Sequence, residues 1–305
     1  MRSMLPMAAV ALLAACESAP TVSLPAEPQF GLGRSERTFR FTTIEVPGAT
    51  TTTAFGINAS GAIVGQYGDA TGTHGFLYRN GQYTTIDYPG AVLTQARGIG
   101  NGGEIVGSYR MPGEPSVNAH GFLLTRDGTF QPIDWTGHTN TIAQRILPDG
   151  TVLGCYHDAD FSSSMKGVLW SRFGNGETTA FASMHNGATP DLRRIVGLFT
   201  DPASGQGMGY VIEGGAFLPF VVPGSTFTSA WDVNPLGEIV GSFANADGSY
   251  GYLRTIDDEY VTIDFPGATA TVAFGINVGG DVVGRYAAAG KTYGFLASAT
   301  RMHNR

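Results

Sequence analysis

The chain repeats itself six times. A Val-Gly or Leu-Gly pair following a β-branched residue or its equivalent recurs at Gly65, Gly107, Gly154, Gly197, Gly241 and Gly284, in steps of 42 to 47 residues. Two other landmarks keep the same phase. One is Gly-Phe-Leu at Gly75, Gly121 and Gly294, with the variants GVLW, GYVI and GYLR starting at Gly167, Gly209 and Gly251. The other is TTIEVPGA from Thr42, TTIDYPGA from Thr84 and VTIDFPGA from Val261, with QPIDWTGH, TTAFASMH and LPFVVPGS as weaker copies. A unit of this length cannot bury its own apolar faces, so the copies must pack on one another.

Each unit reads as four short strands. In the first, AFGIN, IVGQY, HGFLYR and YTTIDY alternate β-branched or aromatic residues with polar ones, and Gly, Asn and Pro separate them. Asn80-Gly81 suits a two-residue hairpin, and Pro89-Gly90 a type II turn. Glycine accounts for 44 of 305 residues, about twice the usual ~7%, as a turn-dense all-β chain requires. Four strands per unit is a propeller blade, whereas solenoid repeats are shorter. The expected fold is therefore a six-bladed β-propeller of four antiparallel strands per blade.

The phase of the repeat predicts how such a ring is clasped. Residues 41–48 are a fourth strand and residues 293–297 a third, so the N-terminal strand completes the last blade. The first and last units, TTAFGIN and TVAFGIN, are also among the best matches, unlike the polar end repeats of an open array. The propeller is expected over 41–297, preceded by a linker at 17–40 and followed by a tail at 298–305.

The run Gly-Ile-Asn-x-x-Gly-x-Ile-Val-Gly-x-Tyr, then His-Gly-Phe-Leu-Tyr and Thr-Ile-Asp-x-Pro-Gly-Ala, resembles the bacterial extracellular HAF repeat, named for a His-Ala-Phe tripeptide. Here the tripeptide is His74-Gly75-Phe76 and His120-Gly121-Phe122, and Lys166, Met208, Tyr250 and Tyr293 replace the His elsewhere. The resemblance implies an exported repeat protein and carries no chemistry.

The N-terminus points to export independently. Arg2 is followed by an apolar segment from Leu5 to Ala15, too short to span a bilayer, and then by Leu13-Ala14-Ala15-Cys16. That ending resembles the bacterial lipobox, which implies that residues 1–16 hold a signal peptide and that Cys16 is acylated. An ordinary secretory signal is the alternative. More than one acyl chain makes a firm anchor, and Glu17 after the Cys favours the outer membrane by resemblance to sorting rules. Residues 17–40, rich in Pro, Ser, Ala and Glu, read as a flexible stalk.

Net charge is −7 and no Lys/Arg run interleaves with aromatics, so nucleic acid is not an expected partner. There is no Gly-x-Ser-x-Gly, phosphate loop, HExxH or CxxC. No metal or cofactor is expected, and the chain is expected to be a monomer.

Residues that recur in every unit build the unit, so departures are more informative. The acids Glu45, Asp87, Asp134 and Asp264 are expected to hold the turns that follow them, and His74 and His120 to pack. Strand one, by analogy with other propellers, lines the channel. There Arg97 replaces Phe, Gln144-Arg145 replaces Phe-Gly, and Trp231-Asp232 does so again; unit four is abbreviated, with Asp191, Arg193 and Arg194 nearby. Converging on one mouth, these side chains would hold an anionic or carbohydrate ligand, with Arg reading its carboxylate. Interblade salt bridges are the alternative.

In unit three, Cys155-Tyr156-His157-Asp158-Ala159-Asp160 places an imidazole beside two carboxylates, and Asn245-Ala246-Asp247-Gly248 is a weak calcium-loop candidate; a polar loop and a buried thiol are the plainer explanations. Three functions follow. The first is a binding module for a glycan, peptide or envelope protein through Arg97, Gln144, Arg145, His157, Trp231 and Asp232. The second is an enzyme on acidic polysaccharide with His157 as proton carrier, which requires His157 on the same mouth as Arg97 and Arg145. The third is a surface scaffold.

Overall fold

The computed structural model describes residues 37–158, 165–171, 174–177 and 182–300, and these contain strands and turns but no helix. Cys16 and the signal segment lie outside the described residues, as does Asp160. The strands come in antiparallel sets, each in sequence order. The first set is β2 (Thr51–Ile57), β3 (Ile63–Gly68), β4 (Thr73–Arg79) and β5 (Gln82–Ile86). The second is β6 (Leu93–Ile99), β7 (Ile105–Arg110), β8 (His120–Leu124) and β9 (Phe130–Ile133). The third is β10 (Asn140–Ile146), β11 (Val152–His157), β12 (Lys166–Ser171) and β13 (Gly174–Glu177).

The fourth set is β14 (Ser183–Ala188), β15 (Arg194–Thr200), β16 (Gly207–Glu213) and β17 (Ala216–Phe220). The fifth is β18 (Phe227–Val233), β19 (Ile239–Asn245), β20 (Gly248–Arg254) and β21 (Tyr260–Ile263). The last set is β22 (Ala270–Ile276), β23 (Val282–Ala288) and β24 (Lys291–Thr300), with β1 (Thr38–Ile44) antiparallel to β24 along its whole length. Single parallel bridges such as Thr73 to Leu93 and Thr51 to Thr292 tie some neighbouring sets together.

Both boundaries of the repeat region move outward by about three residues. Thr38, Phe39 and Arg40, expected in the linker, pair with Thr300, Ala299 and Ser298, expected in the tail. Phe39 and Phe41 pack on the cluster of Leu253, Ile263 and Phe295, so the apolar alternation starts earlier than the repeat motif.

The recurring Val-Gly now has a cause. A Cβ on Gly65 would run into the Thr53 carbonyl of the first strand and come within 2.6 Å of the Phe76 ring from the third. The aromatic of Gly-Phe-Leu fills the space that the missing side chain leaves, and Phe76, Phe122 and Phe295 are fully buried. The polar landmarks act between sets. Thr52, Thr94, Thr141, Thr228 and Thr271 accept the backbone N–H of Val46, Tyr88, Trp135, Val222 and Phe265, which pins each Pro-Gly-type turn to the next first strand. The Asn of Gly-Ile-Asn reaches sideways: Asn58 Nδ2 donates to Gly100 O, and Asn234 Nδ2 to Asn277 O.

Three of the recurring acids take partners other than the turns that follow them, whereas Asp264 accepts from Thr271 Oγ1 at 3.2 Å, just past its turn. Asp87 accepts from His74 Nδ1 at 2.9 Å, Asp134 lies 3.3 Å from His120 Nδ1, and Glu45 takes Lys291 Nζ. For those three, cross-strand partners on the third strand outcompete the local turn, and His74 and His120 are thus hydrogen-bonding groups as well as packing ones, stacked on Tyr67 and Tyr109.

Candidate functional site

Every first strand carries a bulge at the same place, between Ala54 and Gly56, Ala96 and Gly98, Ala143 and Arg145, His185 and Gly187, Ala230 and Asp232, and Ala273 and Gly275. A bulge re-aims the extra residue, here Phe55, Arg97, Gln144, Asn186, Trp231 and Phe274. The residue after it is Gly in four strands because the neighbouring backbone is too close. A Cβ on Gly98 would lie 2.5 Å from Gln144 O, and one on Gly275 would lie 2.8 Å from Phe55 O. Only Arg145 and Asp232 break this rule.

They meet each other. Arg145 Nε lies 3.2 Å from Asp232 Oδ2, and both side chains are nearly enclosed. Arg145 Nη1 donates to Arg97 O and Gln144 O at 2.8 Å each, and Nη2 donates to Phe55 O at 3.2 Å and Phe274 O at 2.6 Å. One guanidinium therefore joins the backbones of β2, β6, β10 and β22 and, through Asp232, β18. Asp232 Oδ2 also accepts Ile276 N–H and Oδ1 accepts Val233 N–H. Burial raises the Asp232 carboxyl above its usual range, while Arg145 and these N–H groups pull it back. The pair is the floor of a shallow depression of about 130 Å³, walled by the turns that follow the first strands, including Asn58, Asn101, Pro148, Pro190, Pro235 and Asn277.

The bulged residues form a second layer. Arg97 sits 5.1 Å over the Phe55 ring, Phe55 is 5.2 Å from Phe274, and Phe274 is 5.0 Å from Trp231. On the other side Arg97 Nη1 donates to Gln144 Oε1 at 3.4 Å, and Gln144 Nε2 faces Met184 Sδ at 3.3 Å. Burial, reinforced by Arg145, brings the Arg97 guanidinium down to about 10, which still leaves it charged at neutral pH. Arg97 Nε, Trp231 Nε1 and Asn186 Oδ1 are enclosed without a hydrogen-bond partner among the described residues.

Beyond this layer, away from Arg145, the second strands contribute. Gln66 pairs across from Thr53, and its amide accepts from Gln95, whose own carbonyl takes Arg97 Nη2 at 2.7 Å. Arg285 holds the place of Gln66 in the last set, across from Val272. Arg285 is exposed, with its guanidinium 5.8 Å from the Phe274 ring centre.

Arg97 thus reaches Gln144 directly and Trp231 through Phe55 and Phe274, while Arg145 and Asp232 are spent on each other and on backbone. His157 does not join them. It pairs across from Asn140 at the far end of β10, whereas Arg145 pairs across from Leu153, about 13 Å away along the strand. His157 is buried, with Nδ1 2.9 Å from Asp158 O, so the proton-carrier role required of it has no geometry. Cys155 is enclosed and its thiol is pushed up to about 12 by burial, as a structural thiol should be.

Asn245 Oδ1 is occupied by the N–H groups of Asp247 and Gly248 and makes a hairpin turn, with no cluster of metal-ligating residues among those described. Unit four is not abbreviated: its first strand is β14, with Asn186-Gly187 at the bulge, and Asp191 and Arg193 form an exposed pair in the following turn. Arg194 instead bonds Glu213 and Gly237 O. Asn186 and Arg285 were missed because neither looks like the Phe or Gln it replaces; only alignment on the neighbouring Gly would have found them.

No protein-family model matches the sequence, and no curated protein matches it. Solved structures do. A gluconolactonase from Xanthomonas campestris superposes with a TM-score of 0.54 at 13% identity, covering 86% of this chain and 90% of that one. A putative TolB from Agrobacterium tumefaciens gives 0.53 at 15% identity over 68% and 74% of the two chains. A calcium-binding protein, regucalcin, from the same organism gives 0.51 at 12% identity over 86% and 96%. At these identities the likeness is one of fold: the chain is an all-β protein of the β-propeller type.

Proposed function

We propose that this chain is a six-bladed propeller, exported and tethered at the cell envelope through Cys16, that serves as a binding module with its ligand site at the Arg285 end of the axis. Two observations support the ring. The first strands neighbour one another in the cyclic order β2, β6, β10, β14, β18, β22 and back to β2, and β1 supplies the fourth strand of the last set. The likeness to HAF repeats and the lipobox-like Leu13-Ala14-Ala15-Cys16 support the location.

The observation that carries the function is the asymmetry of the axis. At the turn end, Arg145 and Asp232 form a stopper whose polar groups are committed to the protein. Toward the other end, Trp231 is half-buried, with its enclosed Nε1 lacking a partner among the described residues, and Arg285 is exposed. Arg37, the first described residue, bonds Glu238 in a turn on the stoppered side. A monomer suffices for this role.

The test is a glycan and peptide array probed with the wild-type chain and with the Trp231→Ala and Arg285→Gln variants. Binding that disappears in the variants while their melting temperatures hold supports the reading. Binding indifferent to both substitutions counts against it. The scaffold alternative is favoured if no array ligand is retained, since the spent donors of Arg145 already serve a purely internal purpose.

A further inference from the structure

The ligand class can be narrowed, on the premise that the Arg285 mouth is the binding site. Net charge over the whole chain is −7, yet the axis carries the opposite sign. Among the described residues gathered there, Arg145 and Asp232 pair with each other, which leaves Arg97 and Arg285 without a carboxylate partner. In an acidic protein such a local excess focuses the field on anions.

The second ingredient is an aromatic ring beside the charge: Trp231 is half-buried, whereas Phe55 and Phe274 are buried. Phe55, Phe274 and Trp231 touch edge to face, and the Arg285 guanidinium projects past Phe274 into solvent. An exposed guanidinium offers a planar fork that matches a carboxylate in two parallel hydrogen bonds. Gln66 and Gln95, bonded to each other, and Arg97 on the Gln95 carbonyl stand nearby. A simple inorganic anion would use the charge and leave the aromatic surface idle; a neutral sugar would do the reverse.

We infer that the mouth formed by Arg285 and Trp231 binds a carboxylated sugar, a hexuronate unit of an acidic glycan, with its carboxylate on Arg285 and a C–H face on the exposed part of the Trp231 ring. Binding here needs no chemical step.

Calorimetric titration of the full chain with trigalacturonate tests this, with neutral galactotriose and sodium sulfate as comparison ligands. The expected result is saturable binding of trigalacturonate that weakens at least about tenfold in Arg285→Gln and falls as salt is raised, with galactotriose and sulfate each much weaker. Equal binding of galactotriose, or an unchanged affinity in Arg285→Gln, overturns the acidic-sugar assignment. If Trp231→Ala still abolishes that neutral binding, the mouth stands as a binding site and only the ligand class is wrong. Sulfate binding as tight as trigalacturonate overturns the role of the aromatic layer. No heat with any of the three, together with an array on which nothing is retained, removes both the assignment and the binding module.

Discussion

Arg145 and Asp232, 87 positions apart in sequence, sit 3.2 Å from each other where the backbones of five first strands come together. Each stands where the repeat otherwise demands glycine. A side chain is tolerated at these two places because each points into the space that the other four leave open.

Removing Arg145 orphans four carbonyls and leaves the Asp232 carboxylate buried alone. Breaking one partner of a buried pair typically costs about 3–5 kcal/mol. Arg145→Met is expected to lose at least that in urea denaturation, and the Arg145→Met/Asp232→Asn double variant to recover part of it. A double variant as unstable as the sum of the singles would show that the two groups are not coupled.

β1 should behave as structure and not as linker. A chain lacking residues 1–36 is expected to melt with the wild type, whereas one lacking residues 1–45 loses β1, strips cover from Phe295 and leaves β24 as an open edge. Open edges recruit other strands, so the second truncation should melt lower and aggregate, as read by scanning calorimetry and light scattering. Equal melting of the two would refute the clasp.

Glycines of the two kinds should differ in cost. A Cβ on Gly107 meets the Gln95 carbonyl and lies 2.9 Å from the Phe122 ring, whereas Gly81 has φ +79 and nothing within 4 Å. Gly107→Ala is expected to destabilise by about 3 kcal/mol or more through overpacking, and Gly81→Ala by about 1–2 kcal/mol of backbone strain alone. Chemical denaturation of the two variants measures the difference.

His185 gives the fold an acid limit. Its Nδ1 donates to the Tyr210 hydroxyl at 2.5 Å, because that hydroxyl already donates to Met184 O. Burial brings the imidazole down to about 4 from 6.5. Between those values the unfolded chain takes up a proton that the folded chain refuses. Stability is therefore full above about pH 6.5 and declines as pH falls toward 4, by about 3 kcal/mol from this group. Urea midpoints at pH 7.5 and 4.5 should show a smaller decline in His185→Gln than in the wild type; parallel declines would exclude His185 as the cause.

Much of this was legible in the residues. The period announced the four-strand unit, and the positions of TTIEVPGA and YGFLA announced which strand would finish the last set. The Phe-Gly replacements also pointed to the place where the first strands meet, because a repeat that must close-pack tolerates departures only where space is left over. His157 was not legible in the same way. Proximity to Asp158 and Asp160 in sequence suggested chemistry, but strand direction carries it to the end of β11 opposite Arg145.

The sequence by itself determined the all-β class, the repeating unit and which first-strand residues depart from it, since periodicity and side-chain type are local properties that a chain displays before it folds. Only the tertiary structure decided what those residues do. Whether a guanidinium binds a ligand or a ring of carbonyls depends on which backbones lie within hydrogen-bonding distance. That is why Arg145, conspicuous in the sequence, proves to be internal architecture, while Arg285, one letter in an otherwise ordinary strand, is left with its charge facing solvent.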